Sequence, residues 1–222
     1  TGRAARLPVM QLHGFAAGPY NTNTYVLAHE GEAFVVDPGM HSHRQVEKAL
    51  AETSASLVAV VLTHGHIDHT RDAGSLAAQY DVPVHIHPED AFMLAGGDGI
   101  SQRSQVLFDA AHMTPVRDLR DLHDGQDLTL AGVELKVRHA PGHSPGSCLL
   151  VHEQFAFTGD VIFQGSIGRT DFAGSDPAQM DATLRGPVWE LDDSLQLFPG
   201  HGAGTSMRAE RATNPFLLQL GM

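Results

Sequence analysis

The nine residues Val61-Leu62-Thr63-His64-Gly65-His66-Ile67-Asp68-His69 constrain this chain more than any other stretch. Four potential metal ligands fall within six residues, at the end of the apolar run 57–62, which reads as a buried strand. In the extended exit of a strand, side chains two apart leave in the same direction, so His64 and His66 can grip one ion together. Asp68 and His69 sit where the pattern turns helical, so their side chains leave at another angle and can reach a second ion. Imidazole and carboxylate suit zinc, manganese, iron or nickel.

Fifteen histidines would allow an incidental cluster, but three further candidates follow in separate loops: His143, Asp160 and His201. Each stands beside glycine, in Pro141-Gly142-His143, Thr158-Gly159-Asp160 and Pro199-Gly200-His201-Gly202. Glycine permits the tight turns by which strand ends present side chains into a common cleft.

The 222 residues are enough for a substantial core and are most simply one domain, 1–222. The net charge is −12, and Lys48 and Lys136 are the only lysines. No broad basic face is available to neutralise phosphates, so nucleic acid is not expected as a partner. The apolar runs are too short to span a bilayer and the N-terminal stretch has no signal-type apolar region, so no membrane association and a cytoplasmic location are expected. The sequence carries no signal for an oligomeric state. Cys148 is the single cysteine, which excludes an intrachain disulfide; within the apolar run 147–151 it reads as a buried strand residue and not as a nucleophile.

Strands are predicted at 8–15 and 22–29, joined by Gly18-Pro19-Tyr20-Asn21, and at 32–36. A helix at 43–51, the strand 57–62, a helix over about 70–80 and a strand at 82–87 follow, then a short helix from Pro88 through Leu94. The glycine-rich polar segment 95–105 reads as a flexible loop, over the site or away from it. Further strands are predicted at 128–130, 133–139, 147–152, 155–157 and 195–198. A helix over 176–191 is entered through Asp176-Pro177 as cap and first position. A terminal helix from 207 to 213 is interrupted by Asn214-Pro215. Strands followed by a helix, twice over, suggest two packed sheets with helices outside and ligands at the strand ends.

His64-x-His66-x-Asp68-His69 followed by His143, Asp160 and His201 resembles the full ligand set of the metallo-β-lactamase-fold hydrolases, and Val36-Asp37-Pro38-Gly39 extends the likeness towards the start of the chain. Within that superfamily the chain is most similar to the short glyoxalase II-like, or hydroxyacylglutathione hydrolase-like, group. Gly159-Asp160-Val161-Ile162-Phe163, the run from Gly165 to Asp171, Pro199-Gly200-His201-Gly202 and the run from Glu210 to Phe216 carry that likeness.

The resemblance implies an α/β fold, the four-layer αββα sandwich. It implies two divalent metal ions, zinc first, with iron or manganese as alternatives. His64, His66 and His143 would hold one ion, Asp68, His69 and His201 the other, and Asp160 would bridge them. Such ions, about 3.5–4 Å apart, share a water and lower its pKa towards neutrality; Asp68 would orient or deprotonate it. The implied reaction is hydrolysis of a small-molecule thioester, whose thiolate leaves without strong acid assistance. The chain ends at Met222, about one helix after His201, without the helical extension that holds glutathione in the long glyoxalase II form. A different low-molecular-weight thiol is therefore admitted. Two alternatives share the fold: an iron-dependent persulfide dioxygenase, which has a similar Gly168-to-Phe172 segment, and a lactone or small-ester hydrolase. Gly200 and Gly202 favour the hydrolase.

The pairs His41/His43 and His85/His87 lack a following Asp-His and are not expected to be ligands, although His87 could line the cleft. His139 is expected as a buried neighbour of the site. Arg169 is either the partner of Asp171 in a local ion pair or a contact for the substrate. Arg208 and Arg211 are expected as helix-surface charges.

Overall fold

The computed structural model describes residues 9–96 and 98–222. The predicted strand start at Pro8, and Gly97 of the glycine-rich segment, lie outside them. Strands β1 (Gln11–Ala17), β2 (Thr22–His29) and β3 (Glu32–Val36) run antiparallel. Helix α1 (His43–Thr53) crosses over to β4 (Ser56–Val61), which lies parallel to β3. Helices α2 (Ile67–Thr70) and α3 (Ala73–Tyr80) lead to β5 (Val84–Ile86), and α4 (Gln102–Leu107) precedes β6 (Leu119–Asp121). These six strands form one sheet in chain order.

The second sheet starts as an antiparallel meander of β7 (Asp127–Leu130), β8 (Val133–His139), β9 (Cys148–Val151) and β10 (Phe155–Gly159). The small hairpin β11 (Ile162–Phe163) and β12 (Ser166–Ile167) and helix α5 (Pro177–Thr183) follow. Then β13 (Gln196–Pro199) adds parallel to β10, and β14 (Thr205–Ser206) closes the edge. Helices α6 (Met207–Thr213) and α7 (Pro215–Leu218) end the chain.

Side-chain alternation along each strand explains the layering, because successive residues face opposite sides of a sheet. Leu27, Phe34, Ala59 and Val61 meet Leu135, Val137, Leu150 and Phe157 in a core between the two sheets. Their neighbours in sequence, Val26, Val35 and Val60, point the other way and pack against Val46 and Leu50 of α1 and Leu76 of α3. On the far side of the second sheet, Leu149, Ala156 and Leu197 pack against Met180 of α5, Met207 of α6 and Leu217 of α7. The result is the expected αββα sandwich. Cys148 is fully buried in the inter-sheet core, as its apolar setting predicted.

Four local expectations need correction. The helix predicted over 70–80 is two helices, and Asp68 and His69 lie inside the first. The helix predicted over 176–191 is regular only from Pro177 to Thr183. A wide turn, Leu184–Val188, then carries a kink at Gly186 (φ −102°, ψ −107°). Pro187 forces that break, since its ring crowds the preceding residue and it offers no N–H to the helix. The strand predicted at 82–87 shortens to Val84–Ile86. Strand β6 was not predicted, because Leu119, Arg120 and Asp121 are all exposed and show no apolar alternation. The Asp176 cap and the break at Asn214-Pro215, by contrast, are as expected. Asp176 accepts from Ala178 N at 2.9 Å, and Asn214 breaks the terminal helix and caps α7 by accepting from Phe216 N at 3.0 Å.

Candidate metal centre

Parallel pairing brings the two halves of the site together. Gly159 of β10 is in register with Pro199 of β13, so Asp160 and Gly200-His201 leave the sheet side by side, with Gly200 N donating to Gly159 O at 2.8 Å. Gly200 is required here, since a Cβ would press on Asp160 Oδ1 and lie 2.5 Å from His69 Cε1. The first sheet joins at the same point. Asn23 N donates to Gly200 O at 2.7 Å, and the Tyr25 hydroxyl donates to Pro199 O at 2.7 Å. From β4 the chain passes through His64 to His66, the cap of α2, which then projects Asp68 and His69 into the same space. His143 arrives from the β8–β9 connection.

All seven predicted residues converge. Donor atoms of His64, His66 and His143 lie within 4.8 Å of one another, as do those of Asp68, His69 and His201. Asp160 stands between the two groups. Its Oδ2 is 3.3 Å from His143 Nε2, 3.9 Å from His64 Nε2 and 3.3 Å from His201 Nε2, while Oδ1 is 3.2 Å from His69 Nε2. Asp68 Oδ2 is 3.3 Å from His69 Nε2 and 3.2 Å from His201 Nε2.

The donor set fits cations. His64 Nε2, His69 Nε2 and Asp160 Oδ1 are buried without a hydrogen-bond partner; the last two face each other without hydrogen-bond alignment. Buried polar atoms left unpaired are costly, and a coordinated ion would satisfy all three.

Four of the five imidazoles are held from behind. Asp37 Oδ2 accepts from His69 Nδ1 at 2.9 Å. The Arg169 carbonyl is 2.9 Å from His143 Nδ1, and the Tyr20 carbonyl is 3.2 Å from His201 Nδ1. The Thr63 hydroxyl is 3.1 Å from His64 Nδ1. Thr22 Oγ1 donates to Asp68 Oδ2 at 2.8 Å. Such partners aim the ligating atom and fix which ring nitrogen is free.

The electrostatics divide the histidines into two sets. Burial, and then the neighbouring His69, pushes His64 far down; burial, and then His143, lowers His66 to about 3. Burial also opposes charge on His69 and His201, but Asp160 and Asp68 outweigh it, raising His69 well up and His201 to about 9. Burial alone would raise the Asp160 carboxyl, yet His69, His143 and His201 hold it well below the usual range.

Two carboxylates essential to this frame were not singled out from the sequence. Asp37 was read only within the Val36-Asp37-Pro38-Gly39 likeness, with no role of its own. Asp90 is fully buried and accepts from Gly65 N at 2.9 Å, Gly146 N at 2.6 Å and the Ser144 hydroxyl at 2.6 Å, tying the 64–69 loop to the 143–147 loop. Burial raises its carboxyl above the usual value. His87 and His139 stack outside the site, with ring centroids 4.1 Å apart and planes 6° from parallel. His85 lies apart from the seven.

A cavity of about 580 Å³ opens over the cluster. Its floor is His66, Asp68, His143, Asp160 and His201, and its walls include Tyr20, Ile67, Ile100, Phe172 and Ala173. Gly99, Ile100, Ser101 and Ser104 line it, so the segment borders the cavity, and its end, expected as loop, is the start of helix α4 capped by Ser101. Phe172 meets the rings of both His66 and His143 edge-on, at 5.1 and 5.2 Å. Arg169 borders the cavity and is also paired with Asp171 at 2.9 and 3.1 Å. Arg211 is no free surface charge. Its guanidinium bonds Asp193 and the carbonyls of Trp189 and Leu191, and lies 4.6 Å from the Trp189 ring.

Residues 17–201 match the model of the metallo-beta-lactamase superfamily, and the chain belongs to that superfamily. It is 39% identical to an uncharacterised protein of Mycobacterium leprae, over 94% of this chain and 99% of that one. It is 34% identical to the hydroxyacylglutathione hydrolase GloC of Haemophilus influenzae, over 85% of this chain and 88% of that one. Among solved structures it resembles the BLEG-1 B3 metallo-beta-lactamase, with a TM-score of 0.81 and 30% identity over 93% of this chain and 99% of that one. It also resembles TTHA1623 in a di-iron-bound form, with a TM-score of 0.78 and 31% identity over 92% of this chain and 100% of that one. The superfamily binds divalent metals, and the His/Asp clusters of this chain are of that metal-binding kind.

Proposed function

We propose that this protein is a dinuclear metal-dependent hydrolase that cleaves the thioester of a low-molecular-weight thiol. One observation carries the reading: Asp160 lies between two three-residue donor groups, within 3.2–3.9 Å of a ligand nitrogen on His64, His69, His143 and His201. Seven donors exceed what one ion with an open position can use. The likeness to a hydroxyacylglutathione hydrolase and to a di-iron protein supports the substrate class and the two-ion count.

His64, His66 and His143 would hold one ion, Asp68, His69 and His201 the other, with Asp160 shared; zinc, iron or manganese suits these donors. Bound there, a pair of divalent ions supplies Lewis acidity towards a carbonyl oxygen and acidifies water. The chain does the rest. Asp37 and Thr22 keep His69 and Asp68 aimed at the centre. Asp68 borders the cavity and is ionised, so it can orient an attacking water and receive its proton. Phe172 and Ile100 line the cavity and would screen a carbonyl bound there from solvent. A thiolate leaves without a proton donor, which a site built from ligands and apolar walls does not need to provide.

The test is metal analysis of protein purified without chelator, beside assays on a thioester panel, a lactone and a persulfide with oxygen uptake recorded. About two equivalents of metal and thioester turnover are expected. A single iron with oxygen consumption would overturn the reading in favour of a dioxygenase; lactone turnover with inert thioesters would move it to the ester hydrolases.

A further inference from the structure

The wall of the cavity differs in chemistry from its floor. Beyond the ligand cluster the lining is apolar, with Ile67, Ile100, Phe172 and Ala173 facing the space. Apart from Arg169, its polar groups are hydroxyls already engaged with one another. Tyr20 Oη and Ser104 Oγ are 2.9 Å apart, and Ser101 Oγ donates to Ser104 Oγ at 3.1 Å. Hydroxyls donate and accept, so they can serve an amide or another hydroxyl without a charge.

Among the described residues that line the cavity, Arg169 is the one Lys or Arg. It is not a free cation. Its Nε and Nη2 form a fork on the two oxygens of Asp171, at 2.9 and 3.1 Å, and its guanidinium carbon lies 5.7 Å from the Phe172 ring. A ligand carboxylate approaching Arg169 would therefore enter a neutral pair and would have to exchange with Asp171 for the fork. Gains from exchanging one exposed ion pair for another are small. The two lysines are remote from the cavity, and Lys136 pairs with Asp127 and Lys48 with Glu52. The chain as a whole carries −12, which opposes the approach of a polyanion.

From this juxtaposition we infer that the cavity selects a thioester whose thiol half is uncharged, apolar or amide-bearing, over one whose thiol half carries carboxylates. The inference rests on the hydrolase reading above and names its substrate class. Asp171 is then a specificity-determining residue, because it cancels the one side-chain cation that a carboxylate of the thiol half, away from the metal ligands, could use.

The experiment pairs two thioesters of the same acyl group on the metal-loaded enzyme, one of N-acetylcysteamine and one of glutathione. It is repeated with the uncleavable S-hexyl thioethers of both thiols, whose binding is followed by calorimetry. The neutral compound is expected to have the higher kcat/KM and the lower Kd, each by about tenfold or more. In Asp171→Asn, which keeps shape and removes the charge, the glutathione-to-cysteamine ratio should rise about tenfold in kcat/KM and fall about tenfold in Kd. A wild-type preference for the glutathione compounds, or a ratio unmoved by Asp171→Asn, would overturn the inference. Tighter binding of the neutral thioether with no turnover of either ester would uphold the selectivity of the cavity and instead sink the hydrolase reading.

Discussion

Asp37 holds His69 by Nδ1 at 2.9 Å, and the same oxygen, Oδ2, also takes the Thr63 hydroxyl at 2.6 Å. Its other oxygen accepts from Thr63 N at 2.8 Å, so one carboxylate fixes both the exit of β4 and the orientation of a ligand. Asp37 adopts φ 53°, a left-handed conformation that Asp and Asn tolerate. Asp37→Asn should therefore fold, but its amide nitrogen must face a donor. Partners of this kind typically contribute 10–100-fold to metal affinity, and a loss of about that size is expected. Competition with a chromophoric chelator measures it, and activity should return in excess metal. Unchanged affinity would show that His69 needs no support.

Removing Asp90 should destabilise the fold and not merely inactivate. Asp90→Ala leaves Gly65 N and Gly146 N without their acceptor inside the protein, and the Ser144 hydroxyl with only Ser147 Oγ. Unpaired buried groups cost about 1–3 kcal/mol each, so a loss of roughly 3 kcal/mol or more is expected in urea unfolding. The exposed neighbour Glu89→Ala should change stability by about 0.5 kcal/mol at most. Equal effects at the two positions would contradict the role given to Asp90.

His64→Ala and Asp160→Ala should lose nearly all turnover together with bound metal, whereas Cys148→Ala should keep most of it. The thiol is buried in the core, and burial pushes its pKa far up, so it is no nucleophile. Loss of turnover in Cys148→Ala with fold and metal content intact would refute a mechanism without a protein nucleophile.

Chelated protein should be most stable near pH 6.5 and weaker on both sides. His201, raised from 6.5 to about 9, stabilises the fold fully below 6.5, and that contribution is lost as pH rises through about 9; His69 acts in the same direction. His66, lowered to about 3, refuses a proton that the unfolded chain accepts, so stability also falls as pH drops from 6.5 towards 3, and His64 adds to this. Saturating zinc should flatten the alkaline arm most, because there it replaces protons as the charge facing Asp68 and Asp160. Calorimetric Tm values across this range decide it, and a steady rise from pH 6.5 to 9 in chelated protein would contradict the assignment.

The seven residues of the centre were legible because their spacing is local. His64, His66, Asp68 and His69 announce themselves within six positions, and the other three stand beside the glycines that let strand ends turn. The roles of Asp37, quoted only within a family-like motif, and of Asp90 are not legible, since each meets its partners 25 or more residues away in sequence. The break at Gly186-Pro187 could have been read, but apolar spacing through Val188 and Leu191 imitates a continuous helix. Strand β6 exists through its backbone pairing with β5, which no side-chain pattern reports. The sandwich was suggested by the repeated order of strands and helices. Its register, which puts Gly159 beside Pro199, is tertiary information.

The buried thiol has a further consequence under the proposed chemistry. Each turnover would release a small thiol, and in an oxidising episode that product becomes a disulfide able to cap any accessible protein cysteine. Exchange needs a thiolate that can reach the disulfide sulfur. Here the sole cysteine is sealed between two sheets, with its thiol 3.5 Å from the Gly146 carbonyl. The protein should therefore stay unmodified by the oxidised form of its own product, and keep working through conditions that would arrest a hydrolase dependent on an exposed cysteine.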